Sequence, residues 1–288
     1  MQPKKPVSVK RLREEKYSKI LGYPIYDLKE TEKRLRELRK LGVKAIEFTG
    51  KKKVFDIPVL GKGYVGIVVV AHTDNGKNAL KIRRVDADRA EMRHEAEMLR
   101  RTNAINIGPK LLNFTENFLL IELVEGTLLP QWVRALSGRE PRLRIRRVLR
   151  AILEKCYRLD EAGIDHGELS RAPKHIIVDA DDHAHLVDFE TASINRRVSN
   201  VTSVSQYLFI GSQIAKTIRR KLIEVNEKEL IKALRDYKQH RTQENFKGIL
   251  EACTLQGLKT RVAHGNACMH GKTANIGKRV SDCLTFLS

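Results

Sequence analysis

Cysteine is scarce in this 288-residue chain: Cys156, Cys253, Cys268 and Cys283 are the full set. Four scattered thiols are too few to build a disulfide framework, so a reducing cytoplasm is the natural compartment. Long apolar runs are missing as well. No stretch approaches the roughly 18 consecutive apolar residues of a membrane-spanning helix, and no membrane partner is expected. The opening residues, MQPKKPVSVKRLREEKYSKI, are basic but contain no apolar core of the kind a secretory signal needs. Acidic residues are under-represented: 35 Asp and Glu stand against 55 Lys and Arg, a net charge of +20. A field of that size favours polyanions, so RNA, ribonucleoprotein or phosphorylated partners are expected on the basic surface.

What is present is a globular composition, 41% apolar and 31% charged. Residues 1–43 divide into a basic segment with Pro3 and Pro6, read as a mobile arm, and a helix over DLKETEKRLRELRKLGV. Asp27 or Thr31 caps that helix, Leu35, Leu38 and Leu41 form its apolar stripe, and Gly42 closes it. Residues 44–125 change to short strands, KAIEF, VFDIPVL, GIVVVAHT and NALKIRR, with a hairpin cue at Asp74-Asn75-Gly76. A helix with Met92, Ala96 and Leu99 in register follows, then further strands in PKLLNFTENFLLIELVEG. Five antiparallel strands with one helix are predicted for this segment.

Residues 126–242 read as mostly helical. The longest element carries Ile145, Leu149, Ile152, Cys156 and Leu159 on one face and Arg142, Arg146 and Arg150 on another. Like charges four apart repel, so that stripe needs acidic neighbours or an anionic ligand. Residues 243–288 lose periodicity and are read as a weakly ordered tail. Cys253, Cys268, Cys283, His264 and His270 lie there without the CxxC pairing that marks a zinc site.

The chemistry-bearing residues follow in a fixed order. Gly61-x-Gly63-x-x-Gly66-x-Val68 joins two strands, which opposes a dinucleotide-binding turn between strand and helix. Alone, such a pattern is equally a glycine-rich turn. With Ala79 and Lys81 on the next strand it matches a phosphate-covering loop: glycine lets backbone N–H groups approach phosphate oxygens, and Lys81 adds a cation. Val68 and Ala79 are small apolar faces suited to enclosing an adenine. Glu95 is placed to pair with Lys81, or is one more charge on a helix that also has Glu91 and Glu97. LLIELVEG brings backbone groups of Glu122 and Val124 to where an adenine edge would sit, or is a plain buried strand. In HGELSRAPKHIIVDADDHAHLVDFE, Asp188 ends an apolar strand, where a lone carboxylate is costly unless it meets a cation. Glu168 precedes that hairpin in a His-Gly-acid loop, placed to accept or orient a hydroxyl proton. His166 reads as a bracing residue, and His183 and His185 as solvent-facing hairpin residues rather than a His-x-His metal site.

Taken together, these motifs resemble the protein-kinase-like superfamily over about Val54 to Ile210. HGEL is closer to the loop of RIO kinases, the KEOPS-complex kinase and aminoglycoside phosphotransferases than to that of typical eukaryotic kinases. HEAEMLRR resembles the matching helix of the RIO and KEOPS group, and the whole is similar to a small archaeal family of predicted serine/threonine protein kinases. The resemblance implies an α+β, bilobal fold with a five-stranded N-lobe and a mostly helical C-lobe. It also implies ATP and Mg²⁺ in the cleft, transfer of the γ-phosphoryl group to a protein, and Glu168, Lys81 and Asp188 as the catalytic set. Gly61, Gly63 and Gly66 would cover the phosphates, with Lys81 held by Glu95.

Three departures qualify the resemblance. No Ala-Pro-Glu segment follows DFETAS, so the docking helices of typical kinases are absent from the pattern. The interval from Glu168 to His175 is two residues longer than the usual acid-to-asparagine spacing. Finally, His175 stands where an oxygen ligand is usual. Mg²⁺ prefers oxygen, so a metal held by Asp188 and His175 is expected to tolerate Mn²⁺. Rival readings are an ATP-binding pseudokinase-like module that holds RNA or a protein, and a small-molecule phosphotransferase.

Overall fold

A computed structural model describes residues 5–138, 140–221 and 223–257. The protein is mixed α/β with antiparallel sheets. It begins with β1 (Val7–Ser8), a 3₁₀ turn at Val9–Arg13, α1 (Glu15–Leu21) and α2 (Leu28–Lys40). Next come β2 (Ala45–Glu47), β3 (Lys52–Val54), β4 (Ile57–Val59), β5 (Gly61–Lys62), β6 (Gly66–Thr73) and β7 (Gly76–Arg83). Helix α3 (Arg89–Ala104) then precedes β8 (Leu111–Phe114) and β9 (Phe118–Glu122). Seven of these strands form one sheet in the order β1-β2-β6-β7-β9-β8, with β5 also on β6.

The centre of that sheet is the β6–β7 hairpin, paired from Thr73↔Gly76 to Gly66↔Arg83. Gly76 supplies the positive φ, 102°, that the turn requires. Both strands are buried on two faces along most of their length, which is why β6 runs from Ile67 to Ala71 without a polar residue. Ile67, Val69, Ala71, Leu80 and Ile82 face one core with Leu12, Ile20, Leu35 and Leu38. Val68, Val70 and Ala79 face another with Val124, Ile177 and Val187. Because side chains alternate along a strand, Lys81 emerges on the same face as Ala79, opposite Val68 in the register.

Three sequence expectations need correction. The basic segment from Val7 onward is not a mobile arm: Val7 pairs with Ile46, and Val9 and Leu12 are buried. The sheet has seven strands against the five predicted, with β1 coming from that segment and two-residue β5 from the glycine stretch. VFDIPVL is not one strand, because Phe55 and Asp56 both take positive φ, 45° and 62°, and fold β3 back on β4. Helix α2 is capped by Asp27, whose carboxylate accepts from the Glu30 N–H at 2.6 Å. Its Arg34 is fully buried and donates to the Leu21 and Arg83 carbonyls, both at 2.5 Å, and to Asn117 Oδ1 at 3.0 Å. These bonds fasten the N-terminal helices to the sheet.

After β9 come β10 (Thr127–Leu128), α4 (Leu129–Ala135) and α5 (Pro141–Glu161), followed by β11 (Ile176–Val178) and β12 (Ala184–Leu186). The order β10-β11-β12 makes a small antiparallel sheet. Then come α6 (Asn200–Ser205), a π-helical turn at Gln206–Ile210, α7 (Gln213–Lys221), α8 (Glu227–Gln239) and α9 (Gln243–Ala252). The predicted stripe of α5 is fully buried from Ile145 to Leu159. Near its end Asp160 accepts from Asn200, from the Val201 N–H and from Tyr237 Oη, joining α5, α6 and α8. Two members of the arginine stripe find partners within the chain: Arg146 and Arg150 donate to the Thr254 and Leu255 carbonyls, and Arg150 pairs with Glu154 at 2.7 Å, while Arg146 Nε is buried without a hydrogen-bond partner.

The expected weakly ordered tail begins instead with α9, capped by Thr242 and burying Phe246, Ile249 and Leu250. Cys268, Cys283, His264 and His270 lie outside the described residues. Among the described residues no helix is long and apolar enough to cross a membrane.

Candidate functional site

Lys81 is buried among three carboxylates. Helix α3 buries Met92, Ala96 and Leu99 and carries Glu95 on the edge of that stripe. Glu95 Oε2 lies 2.7 Å from Lys81 Nζ, with both residues at most 5% exposed. A buried pair of this kind holds only when its remaining donors are satisfied. Here they meet Glu190 Oε2 at 2.6 Å, with Asp188 Oδ1 at 3.7 Å. Burial pulls the Lys81 ammonium down, but Glu95, Asp188 and Glu190 together outweigh it and hold its pKa above the usual lysine range. Burial pushes the Glu95 carboxyl up to about 7; Lys81 opposes this, and the charges of Asp188 and Glu190 add to it.

The glycine stretch meets this lysine at Gly66. Gly61 sits in β5 opposite Val68, and the Gly63 N–H donates to the Gly66 carbonyl at 2.8 Å to close the turn. A Cβ at Gly66 would stand 2.7 Å from the Ile82 carbonyl and 3.1 Å from Lys81 Cγ, so only glycine allows this approach. Val68 and Ala79 are buried with Val124 and Val187 in one apolar cluster. The Glu122 N–H, read from sequence as free for a ligand edge, instead donates to the Lys110 carbonyl at 2.9 Å.

The loop ahead of β11 is brought in by another glycine. Gly167 has φ +91°, and a Cβ there would meet Thr191 Oγ1 at 2.8 Å. Next to it His166 is fully buried, its Nε2 3.2 Å from the Val187 carbonyl and its ring packed 4.8 Å from Phe189. Burial first, and His175 second, hold the His166 imidazole down to about 4. The bracing role expected of it matches this position. His175 is fixed through its carbonyl, which accepts from the Val187 N–H at 3.0 Å. Its Nε2 lies 2.8 Å from Glu168 Oε2 and its Nδ1 3.9 Å from Asp188 Oδ2. Asp188 itself has φ +67°, an unusual conformation for a residue with a side chain.

The sequence-selected residues Lys81, Glu95, Glu168, His175 and Asp188 therefore converge. Glu168, His175 and Asp188 each turn a ligating atom into one space, all within 4.8 Å of one another. His175 Nδ1 and Asp188 Oδ1 are buried with no hydrogen-bond partner. A carboxylate on one ring nitrogen with a free lone pair on the other is the arrangement that orients a metal-binding histidine. His183 and His185 do not join the site: both bond Asp179 Oδ2, at 3.3 and 2.9 Å, and their side chains remain 41% and 33% exposed on the hairpin. Glu190 directly follows Asp188-Phe189, where the kinase-like pattern usually has a glycine, and that departure is the only sign of it in the sequence.

No family model matches the chain. It is 32% identical over 95 residues to the Uncharacterized protein MJ1211 of Methanocaldococcus jannaschii, an overlap covering 33% of this chain and 78% of that protein.

Proposed function

The chain belongs to the family that includes the Uncharacterized protein MJ1211, and we propose that it is an ATP-dependent phosphotransferase of the protein-kinase-like type. One observation carries this: Lys81 lies 2.7 Å from Glu95 and 3.7 Å from Asp188, with Gly66 close against its side chain. On this reading the fold is bilobal. Residues 44–125 bind ATP, residues 126–242 carry the transfer chemistry, and residues 1–43 buttress the first lobe.

The roles follow from position. Lys81 binds phosphate oxygens as a cation and Glu95 holds it in place. The glycine turn offers backbone N–H groups above it. Val68, Ala79 and Val124 flank the adenine, with backbone at Val124 and the Glu122 carbonyl at its edge. The buried, unpartnered atoms of Asp188 and His175 fit a divalent cation. Mg²⁺ or Mn²⁺ bound there supplies charge neutralisation for the phosphates. Glu168 orients the acceptor hydroxyl of a protein serine or threonine and takes its proton. Transfer of this kind depends on positioning and charge more than on a strong base, so glutamate serves where aspartate is commoner. The net charge of +20 suits a cytoplasmic ribonucleoprotein setting.

A second reading, an ATP-binding module without transfer, is favoured by the contacts that already engage Glu168 and Lys81. Incubation with γ-labelled ATP and candidate protein acceptors separates the two. Label transferred to protein supports the phosphotransferase; ATP that binds but never yields labelled protein supports the module.

A further inference from the structure

Lys81 has a carboxylate on each side of its ammonium. Glu95 reaches it from α3 at 2.7 Å, and Glu190 from the loop after β12 at 2.6 Å. With Asp188 at 3.7 Å, three acids share one cation. Glu190 is the newcomer among them, since it comes from the far side of the cleft, where the phosphates of a nucleotide would approach.

We propose that Glu190 is an internal competitor for Lys81, a gate whose carboxylate occupies the place of a nucleotide phosphate and must leave before the phosphate binds. The proposal rests on the phosphotransferase reading above. Its first support is which acid is able to let go. The Glu95 side chain is 4% exposed, so losing Lys81 would leave a buried carboxylate uncompensated, at high cost. The Glu190 side chain is 21% exposed and so already borders water.

The second support is that the backbone around Glu190 is anchored, so the motion is confined to the side chain. Phe189 is fully buried and packs against Gly108, where a Cβ would lie 2.7 Å from its ring. Ala192 is buried, and its carbonyl bonds His94 Nε2 at 2.7 Å, linking this loop to the helix that carries Glu95. The third support is charge: Glu95, Glu190 and Asp188 place three carboxylates around one ammonium, at 2.7, 2.6 and 3.7 Å. Without Glu190 Lys81 keeps Glu95, and the pocket becomes less hostile to phosphate.

The test is nucleotide affinity, measured calorimetrically with ATP and Mg²⁺, for the wild type, Glu190→Gln and Glu95→Gln, each first checked for folding by circular dichroism. The amide keeps the shape of Glu190 but not its charge. Removing a charge-assisted bond that ATP must otherwise displace tightens binding about 10-fold in Glu190→Gln. Glu95→Gln weakens binding, because Lys81 loses its holder. Opposite signs are the signature, since a carboxylate of merely structural value would shift both variants the same way. Binding by Glu190→Gln that equals or falls below wild type overturns the gate while leaving the phosphotransferase reading intact. Absence of binding by both the wild type and Glu190→Gln overturns both.

Discussion

His175 and Glu168 are joined by a 2.8 Å contact between the imidazole Nε2 and the carboxylate Oε2. An ionised carboxylate only accepts, so a neutral imidazole paired with it through Nε2 carries its proton there and leaves the Nδ1 lone pair toward Asp188, 3.9 Å away. On the phosphotransferase reading proposed above, Glu168 and His175, the two residues that depart from the kinase pattern, act as a pair.

Replacing His175 by asparagine exchanges a nitrogen ligand for an oxygen one. Mg²⁺ prefers oxygen, whereas imidazole suits softer ions. The expected outcome for His175→Asn is a higher ratio of Mg²⁺-supported to Mn²⁺-supported phosphoryl transfer. An unchanged ratio would place His175 outside the metal shell.

His166 sets a pH signature. Its folded pKa, about 4, is below the ordinary 6.5, so the unfolded chain takes up the proton first as pH falls. Its contribution is present above pH 6.5 and is lost as the pH drops toward 4, a difference of about 3 kcal/mol when complete. Urea unfolding at pH 7 and pH 4.5 checks this: the wild type loses more stability than His166→Gln. Equal losses would contradict it.

Arg34 has no part in the site, yet it should dominate stability. It is fully buried, bonded to two backbone carbonyls and to Asn117, and paired with Glu30 at 2.8 Å. Arg34→Ala strands those partners and is expected to cost about 3 to 5 kcal/mol in denaturant unfolding. Arg34→Lys should not rescue it, because an ammonium lacks the forked donors that reach all four groups. Rescue by lysine would mean that charge alone matters there.

The net charge of +20 makes its own prediction. Single-stranded RNA should bind at low salt and weaken steeply as salt rises, because phosphate contacts release counterions. Absence of binding at about 50 mM salt would remove the ribonucleoprotein setting.

How much was legible in advance varies with the signal. The β6–β7 hairpin stood out because Asp74-Asn75-Gly76 ends the β-branched run of Ile67–Val70 with a turn cue, and α3 because Met92, Ala96 and Leu99 keep helical spacing. The Lys81–Glu95 pair was readable only because glycines, lysine and glutamate came in a known order. Strand β1 is two residues long, too short to show any period, and its partner Ile46 is remote in sequence. Arg34 was hidden because a buried arginine and a solvated one look alike in a Lys/Arg-rich helix. The turn at Phe55-Asp56 was missed since a bulky residue at positive φ runs against the usual turn preferences. Glu190 was visible only as a residue out of place, and its contact with Lys81 spans 109 positions of chain.

The most direct test of phosphoryl transfer at this site is the rate of label transfer from γ-labelled ATP by the wild type, Lys81→Ala and Asp188→Asn, measured with Mg²⁺ and with Mn²⁺. The account predicts measurable transfer by the wild type and a loss of at least about 100-fold in each variant, the scale of removing one charge-stabilising group. Transfer that is unchanged in Lys81→Ala and Asp188→Asn would contradict both the assignment of the site and the function proposed for it.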